Sequence, residues 1–139
     1  MSMRPPNPSD WNRRDTWLGD QVDAVGGRPV LGLGPQADAM FEEMCACFRT
    51  GAWLATVILA QTVLDAQMVE TEEIDGSVLN ELRLGRDYVW LRNRRNALLH
   101  REEERLAITV DERRSDAAIL EREARRAVEL VIKGLGGTV

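Results

Sequence analysis

The stretch from Ala52 to Met68 constrains the fold more than any other. Trp53, Leu54, Val57, Ile58, Leu59, Val63 and Leu64 leave Thr56, Gln61, Thr62, Asp65 and Gln67 as its main polar exceptions. A helix this apolar needs cover on more than one side. The residues before it supply one partner. Pro35 suits the first position of a helix, where its missing N–H would have lacked an acceptor anyway. From there to Arg49, Ala37, Met40, Phe41, Met44 and Phe48 recur at helical spacing, with Glu42 and Glu43 outside the stripe. Gly51 closes this helix and leaves so short a connection that the two helices are expected to form an antiparallel hairpin.

Further helices complete the cover. Val69 to Ser77, with Glu70, Glu72, Glu73 and Asp75, reads as an acidic linker broken at Gly76. A third helix is expected over Val78 to His100, bent at Gly85, with Leu84, Tyr88, Leu91 and Leu98 at core spacing. The run Leu106-Ala107-Ile108-Thr109-Val110 reads as an extended loop or one isolated strand. Ser115 is placed to cap a last helix from Asp116 to Lys133, with Leu120, Ala124, Ala127 and Val131 as its stripe and Gly134 as its stop. At the other end, Pro5, Pro6 and Pro8 mark Met1 to Pro8 as a loose tail. Ser9 or Asp10 can cap a short amphipathic helix over Trp11 to Ala24, which Gly26 and Gly27 end. The expected fold is all-α: an antiparallel four-helix bundle over residues 35–139, preceded by a tail with one extra short helix over residues 1–34.

Composition narrows the function classes. A chain of 139 residues has room for one core. No apolar run approaches the roughly 18 residues of a membrane span, and the polar, proline-rich start lacks the core of a signal peptide. The chain is therefore expected in the cytoplasm and away from membranes. Cys45 and Cys47 stand two apart on a helix, point in directions too different to bridge, and are expected to stay reduced. A net charge of -5 and a pI near 5.0 argue against a long track for duplex DNA.

The positive charge is nevertheless concentrated. Seventeen of the 18 basic residues are arginine, and Arg92, Arg94, Arg95, Arg101 and Arg105 crowd round His100, the only histidine. Imidazole takes and gives protons near neutral pH, and guanidinium holds a phosphate by two parallel hydrogen bonds. Together they suggest phosphodiester chemistry. Residues five apart on a helix stand about 140° from each other, whereas those four apart nearly share a face. Asn96 and His100 therefore share a face, with Arg95 to the side. One histidine per chain also leaves acid–base cleavage short of a second proton-transfer group, so a catalytic site requires a bent last turn or a second copy.

The Arg95-Asn96-x-x-x-His100 pattern, at the end of the third long helix of a small bundle, resembles the HEPN superfamily, whose members carry Arg, four to six residues, then His. The Phe41 to Met68 hairpin is similar to the first helical pair of those domains, and the resemblance spans about Pro35 to Lys133. It implies a metal-independent endoribonuclease of toxin or defence type, active as a homodimer, with no cofactor. Its implied catalytic residues are Arg95, His100 and Asn96, with Arg92, Arg94 and Arg101 binding single-stranded or structured RNA, and a protein antitoxin as a further partner. One His100 would take the 2′-hydroxyl proton, Arg95 would stabilise charge at phosphorus, and the second copy's His100 would protonate the leaving oxygen, giving a 2′,3′-cyclic phosphate. Toxin-type members often carry a tyrosine two residues after the histidine, a target for modification; Glu102 stands there, so that form of neutralisation is not implied.

The alternative is a non-catalytic helical interaction module. In it, Asn96 orients His100 or caps backbone, and Arg95 pairs with Glu102, Glu103 or the acidic linker. Other chemistries have less behind them. Cys45, Cys47 and His100 do not make a zinc set, and Cys45 on a Met- and Phe-rich helix reads as core more readily than as a nucleophile. Gly32-Leu33-Gly34 lacks the strand and lysine of a phosphate-binding loop. Trp53 and Trp90 read as core or interface anchors.

Overall fold

The computed structural model describes residues 4–71, 82, 85–100 and 106–137. Over these the protein is all-α, with no strand: α1 (Pro8–Ala24), a 3₁₀ turn (Arg28–Leu31), α2 (Pro35–Thr50), α3 (Trp53–Thr71), α4 (Arg86–Leu99), α5 (Val110–Ser115) and α6 (Ala117–Leu135). α3 lies at the centre, packed against α2, α4 and α6. This is the multiple cover that its apolar composition demanded. Val57, Ala60, Val63, Leu64 and Met68 are buried, and so are Thr56, Gln61 and Gln67.

The buried polar side chains of α3 find partners, as desolvated polar groups must. Thr56 Oγ1 donates to the Ala52 carbonyl at 2.8 Å. Gln67 Nε2 donates to the Gly32 carbonyl at 3.0 Å while its Oε1 accepts from Gly34 N–H at 2.9 Å, which ties the loop before α2 to the core. At the α2–α3 connection Gly51 adopts φ 81°, a left-handed conformation that glycine reaches without a Cβ clash. Its N–H and that of Ala52 donate to the Phe48 and Cys47 carbonyls, closing the helix end.

Several boundaries differ from expectation. Pro8 does not end a tail but opens α1, because Asn7 rather than Ser9 or Asp10 is the cap: its Oδ1 accepts from Asp10 N–H at 2.8 Å. Leu18 of α1 is in the common core and Trp17 meets Phe48 at 4.9 Å between ring centroids. Gly85 caps the start of α4 instead of bending a longer helix. Leu84, the acidic linker beyond Thr71 and Arg101 to Arg105 lie outside the described residues. Among the described residues the 106–110 run has no neighbouring strand; Thr109 Oγ1 accepts from Glu112 N–H at 3.2 Å and starts α5 at Val110. Ser115 therefore sits inside α5, and Asp116 precedes α6. Gly134 does not stop α6 either. It is buried within the helix, where a Cβ would stand 2.9 Å from Leu82 Cδ1, so its bare backbone makes room for that leucine.

Candidate functional site

Two polar exceptions of α3 anchor the Arg95 site. Tyr88 of α4 is buried against α3, and its hydroxyl accepts from Gln61 Nε2 at 3.3 Å. The same Nε2 donates to Asp65 Oδ1 at 2.8 Å. The other carboxylate oxygen, Asp65 Oδ2, accepts from Arg95 Nη1 at 3.2 Å, and Arg95 Nε donates to Asn96 Oδ1 at 2.9 Å. A polar relay thus runs from the buried Tyr88 outward to Arg95 and Asn96. Gln61 Oε1 is buried with no hydrogen-bond partner, the one unsatisfied atom of this relay.

This geometry alters the angular argument. Arg95 starts to the side of the face shared by Asn96 and His100, but its guanidinium turns back to Asn96. The last turn of α4 is not bent: His100 N–H still donates to the Asn96 carbonyl at 2.9 Å. His100 then leaves the helix as its C-cap with extended backbone, φ -127° and ψ 119°, and is exposed. Arg95 and Asn96 are brought together by side-chain contact, whereas Asn96 and His100 are joined through backbone. Arg95 pairs with Asp65; Glu102, Glu103 and the acidic linker beyond Thr71, the partners expected for it in a purely structural role, lie outside the described residues.

The other arginines of the motif region separate. Arg94 Nε donates to Glu123 Oε2 at 3.1 Å and Nη1 to the Ala107 carbonyl at 3.3 Å, so it ties α4 to α6 and to the segment before α5. Arg92 is exposed, and Arg101 lies outside the described residues. Trp90 is half-buried beneath the Arg126 guanidinium, 4.1 Å from its ring centroid, and Trp53 packs edge-on against Phe48 at 5.4 Å.

Asp65 and Gln61 are the site residues that sequence reasoning missed. The signal was present, since a carboxylate and an amide on an otherwise apolar helix require partners on a neighbouring element.

Two clefts lie away from this site. One, of about 530 Å³, opens between α1, the 3₁₀ turn and α2. Its arginines are matched there: Arg28 pairs with Asp38 and Glu42, and Arg49 with Asp15. Cys45 borders it, and burial pushes that thiol up to about 11, which keeps it protonated and weakly nucleophilic at neutral pH. The other cleft, of about 440 Å³, lies beside the α2–α3 connection and is lined by Arg4, Arg14, Arg113 and Arg114. Among the described residues no group of three or more His, Cys, Asp or Glu side chains is arranged to hold a metal ion, and no helix is long and apolar enough to cross a membrane. No protein-family model, no curated protein and no solved structure matches the chain, so the functional reading rests on its own residues.

Proposed function

We propose that the chain is a cytoplasmic, metal-independent endoribonuclease of HEPN type, in which α2, α3, α4 and α6 form the four-helix bundle and two copies complete one active site. The observation that carries this reading is Arg95, held by Asp65 and Asn96 one turn before an exposed histidine. Those two hydrogen bonds use two of the five N–H donors of a guanidinium, leaving three for a phosphate. Held in this way, Arg95 would meet the charge developing at phosphorus with little reorganisation.

In the reaction, His100 of one copy takes the proton from a ribose 2′-hydroxyl, which attacks the adjacent phosphorus. The leaving 5′ oxygen departs with a proton from the second copy's His100, and the product ends in a 2′,3′-cyclic phosphate. Asn96 is a positioning residue through its bond to Arg95. A second copy would cover the apolar surface at the end of α4 and in the segment before α5, where Leu99 is 51% exposed and Leu106 53%. The Arg94 bond to Ala107 holds the latter segment against the end of α4. Apolar surface exposed in this way is the kind that interfaces cover.

A second reading has its own observation. Arg94 and Arg95 are both neutralised by carboxylates, and the carbonyl end of α4 disfavours an anion, which suits a non-catalytic interaction module. The two separate in one experiment. Purified protein, without added metal, is incubated with a mixed RNA pool beside His100→Ala and Arg95→Ala variants matched in folding and oligomeric state. Cyclic-phosphate ends that both variants fail to produce establish the nuclease. An inactive wild type, over a broad RNA set, leaves the interaction module.

A further inference from the structure

We propose that the cleft between α1, the 3₁₀ turn and α2 is a binding site for a small organic amine, an apolar body carrying one ammonium group. It is independent of whether the Arg95–His100 end of α4 cleaves RNA. Along α1 the cleft is bordered by Asp15, Gly19, Val22 and Asp23, which recur at helical spacing and share a face. Opposite them on α2 stand Phe41, Glu42, Cys45 and Arg49. The helical rise from Asp15 to Asp23 gives a groove about 12 Å long. Its volume of about 530 Å³ falls within the range of small-molecule sites. Arg49 bridges to Asp15 at 2.6 Å near one end, and Arg28 reaches Glu42 at 3.2 Å near the other. Ion pairs across both ends suit a short ligand better than a peptide strand running through.

The middle of the groove is apolar and is kept open by a glycine. Leu18, Phe41 and Cys45 are buried beneath it, and the Cys45 thiol is neutral. Gly19 lies well inside α1, where glycine is a poorer helix former than any residue but proline. Neither backbone conformation nor packing requires it. Its φ is not positive, and a Cβ there would meet no atom of the described residues within 4 Å. At Gly34, Gly134 or Gly136, by contrast, a Cβ would collide with a neighbouring side chain. What the missing side chain of Gly19 leaves is an open wall above the Leu18 and Cys45 floor.

The rim selects the charge of the ligand. Among the described residues three carboxylates, Asp15, Asp23 and Glu42, border the cleft beside two guanidinium groups. Both guanidinium groups are engaged, Arg49 with Asp15 and Arg28 with Glu42 and Asp38. Asp23 stands in the last turn of α1, which carries no basic residue, and the carbonyl end of a helix favours a cation. An ammonium group beside Asp23 answers both the carboxylate and the helix end, while its apolar body covers Val22, Leu18 and Phe41. A carboxylate or phosphate ligand would be repelled by the same rim.

Three probes test this: 2-phenylethylammonium, 2-phenylethanol and 3-phenylpropionate, which share an apolar body and differ in charge. Each is titrated into the isotopically labelled full chain, and the backbone amide resonances are followed. The titrations are repeated in Gly19→Ala, Gly19→Phe, Asp23→Asn and Glu43→Gln, the last removing a carboxylate that does not line the cleft. The ammonium probe is expected to saturate, with shifts centred on Leu18, Gly19 and Cys45, and to bind about threefold more tightly than the alcohol, with the carboxylate probe weakest. Gly19→Ala should keep this binding and Gly19→Phe abolish it, both with a Tm no lower than that of the wild type, since alanine and phenylalanine form helix better than glycine. Asp23→Asn should bring the ammonium probe down to the alcohol, and Glu43→Gln should leave their difference intact. Equal binding of the three probes, binding that survives Gly19→Phe, or no saturable shift from any probe overturns the proposal. So does a changed oligomeric state in Gly19→Phe without amine binding by the wild type, which assigns the cleft to a second copy.

Discussion

Arg94 and Arg95 each meet a carboxylate within 3.2 Å, Glu123 and Asp65, whereas the cleft that gathers Arg4, Arg14, Arg113 and Arg114 has none in its lining among the described residues. The first pair joins α4 to α6 and α3, and its charge is spent on holding helices together. The second group converges from separate parts of the chain on one opening, where Arg14 lies over Trp53 and 3.9 Å from Glu121. The same residue type serves two ends because its surroundings differ: a part-buried ion pair fixes the geometry of two helices, while guanidinium groups gathered at one opening raise the positive potential there. Arg95 combines the two, since pairing orients it and its remaining donors stay available.

The largest expected effect tests what braces the cleft. Phe48 is fully buried and touches both Trp17 and Trp53. Phe48→Ala should destabilise the protein by about 3 to 5 kcal/mol through lost burial and the cavity left behind, read as a lower urea midpoint. Near-UV circular dichroism should show altered tryptophan packing. A loss below 1 kcal/mol would mean that Trp53 is held in some other way and the wall of the cleft is soft.

A smaller effect belongs to the matched region. Asp65→Ala removes the acceptor of both Gln61 Nε2 and Arg95 Nη1. Asp65 is 47% exposed and Arg95 21%, so solvent screening limits the ion pair itself. The expected cost is about 1 to 2 kcal/mol in chemical unfolding, most of it from hydrogen bonding. If the relay orients Arg95, a double-mutant cycle between Asp65 and Arg95 gives a favourable coupling of about 0.5 kcal/mol or more. Strict additivity would show that the two side chains touch without supporting each other.

The contrast between these regions was only partly legible in the sequence. The apolar circumference of Ala52 to Met68 demanded a central helix, and Pro35 with Gly51 fixed the α2 boundaries, because these signals are local. The start of α1 was misplaced, and the short helix α5 was not expected, because local signals competed. Pro8 reads equally as a breaker or as a first helical residue until Asn7 is seen to cap it, and Thr109 belongs to a β-branched run until no strand lies beside it. The Arg95-to-His100 segment stood out in one dimension, but its partner Asp65 is 30 residues away and only packing of α3 on α4 joins them. The arginine cleft has no sequence signature at all, since Arg4, Arg14 and Arg113 meet only through the tertiary fold.

The smallest expected change in stability is the one that most sharpens the comparison. Arg94→Ala removes the bonds to Glu123 and to the Ala107 carbonyl at a half-buried position, and is expected to cost about 1 kcal/mol or more. Arg113→Ala/Arg114→Ala removes two guanidinium groups from a short surface helix and is expected to move stability by no more than about 0.5 kcal/mol. Thermal unfolding of the two variants beside the wild type reads the difference directly. A loss in the double variant as large as that of Arg94→Ala would mean that Arg113 and Arg114 are structural like Arg94, and that the two regions differ in position but not in purpose.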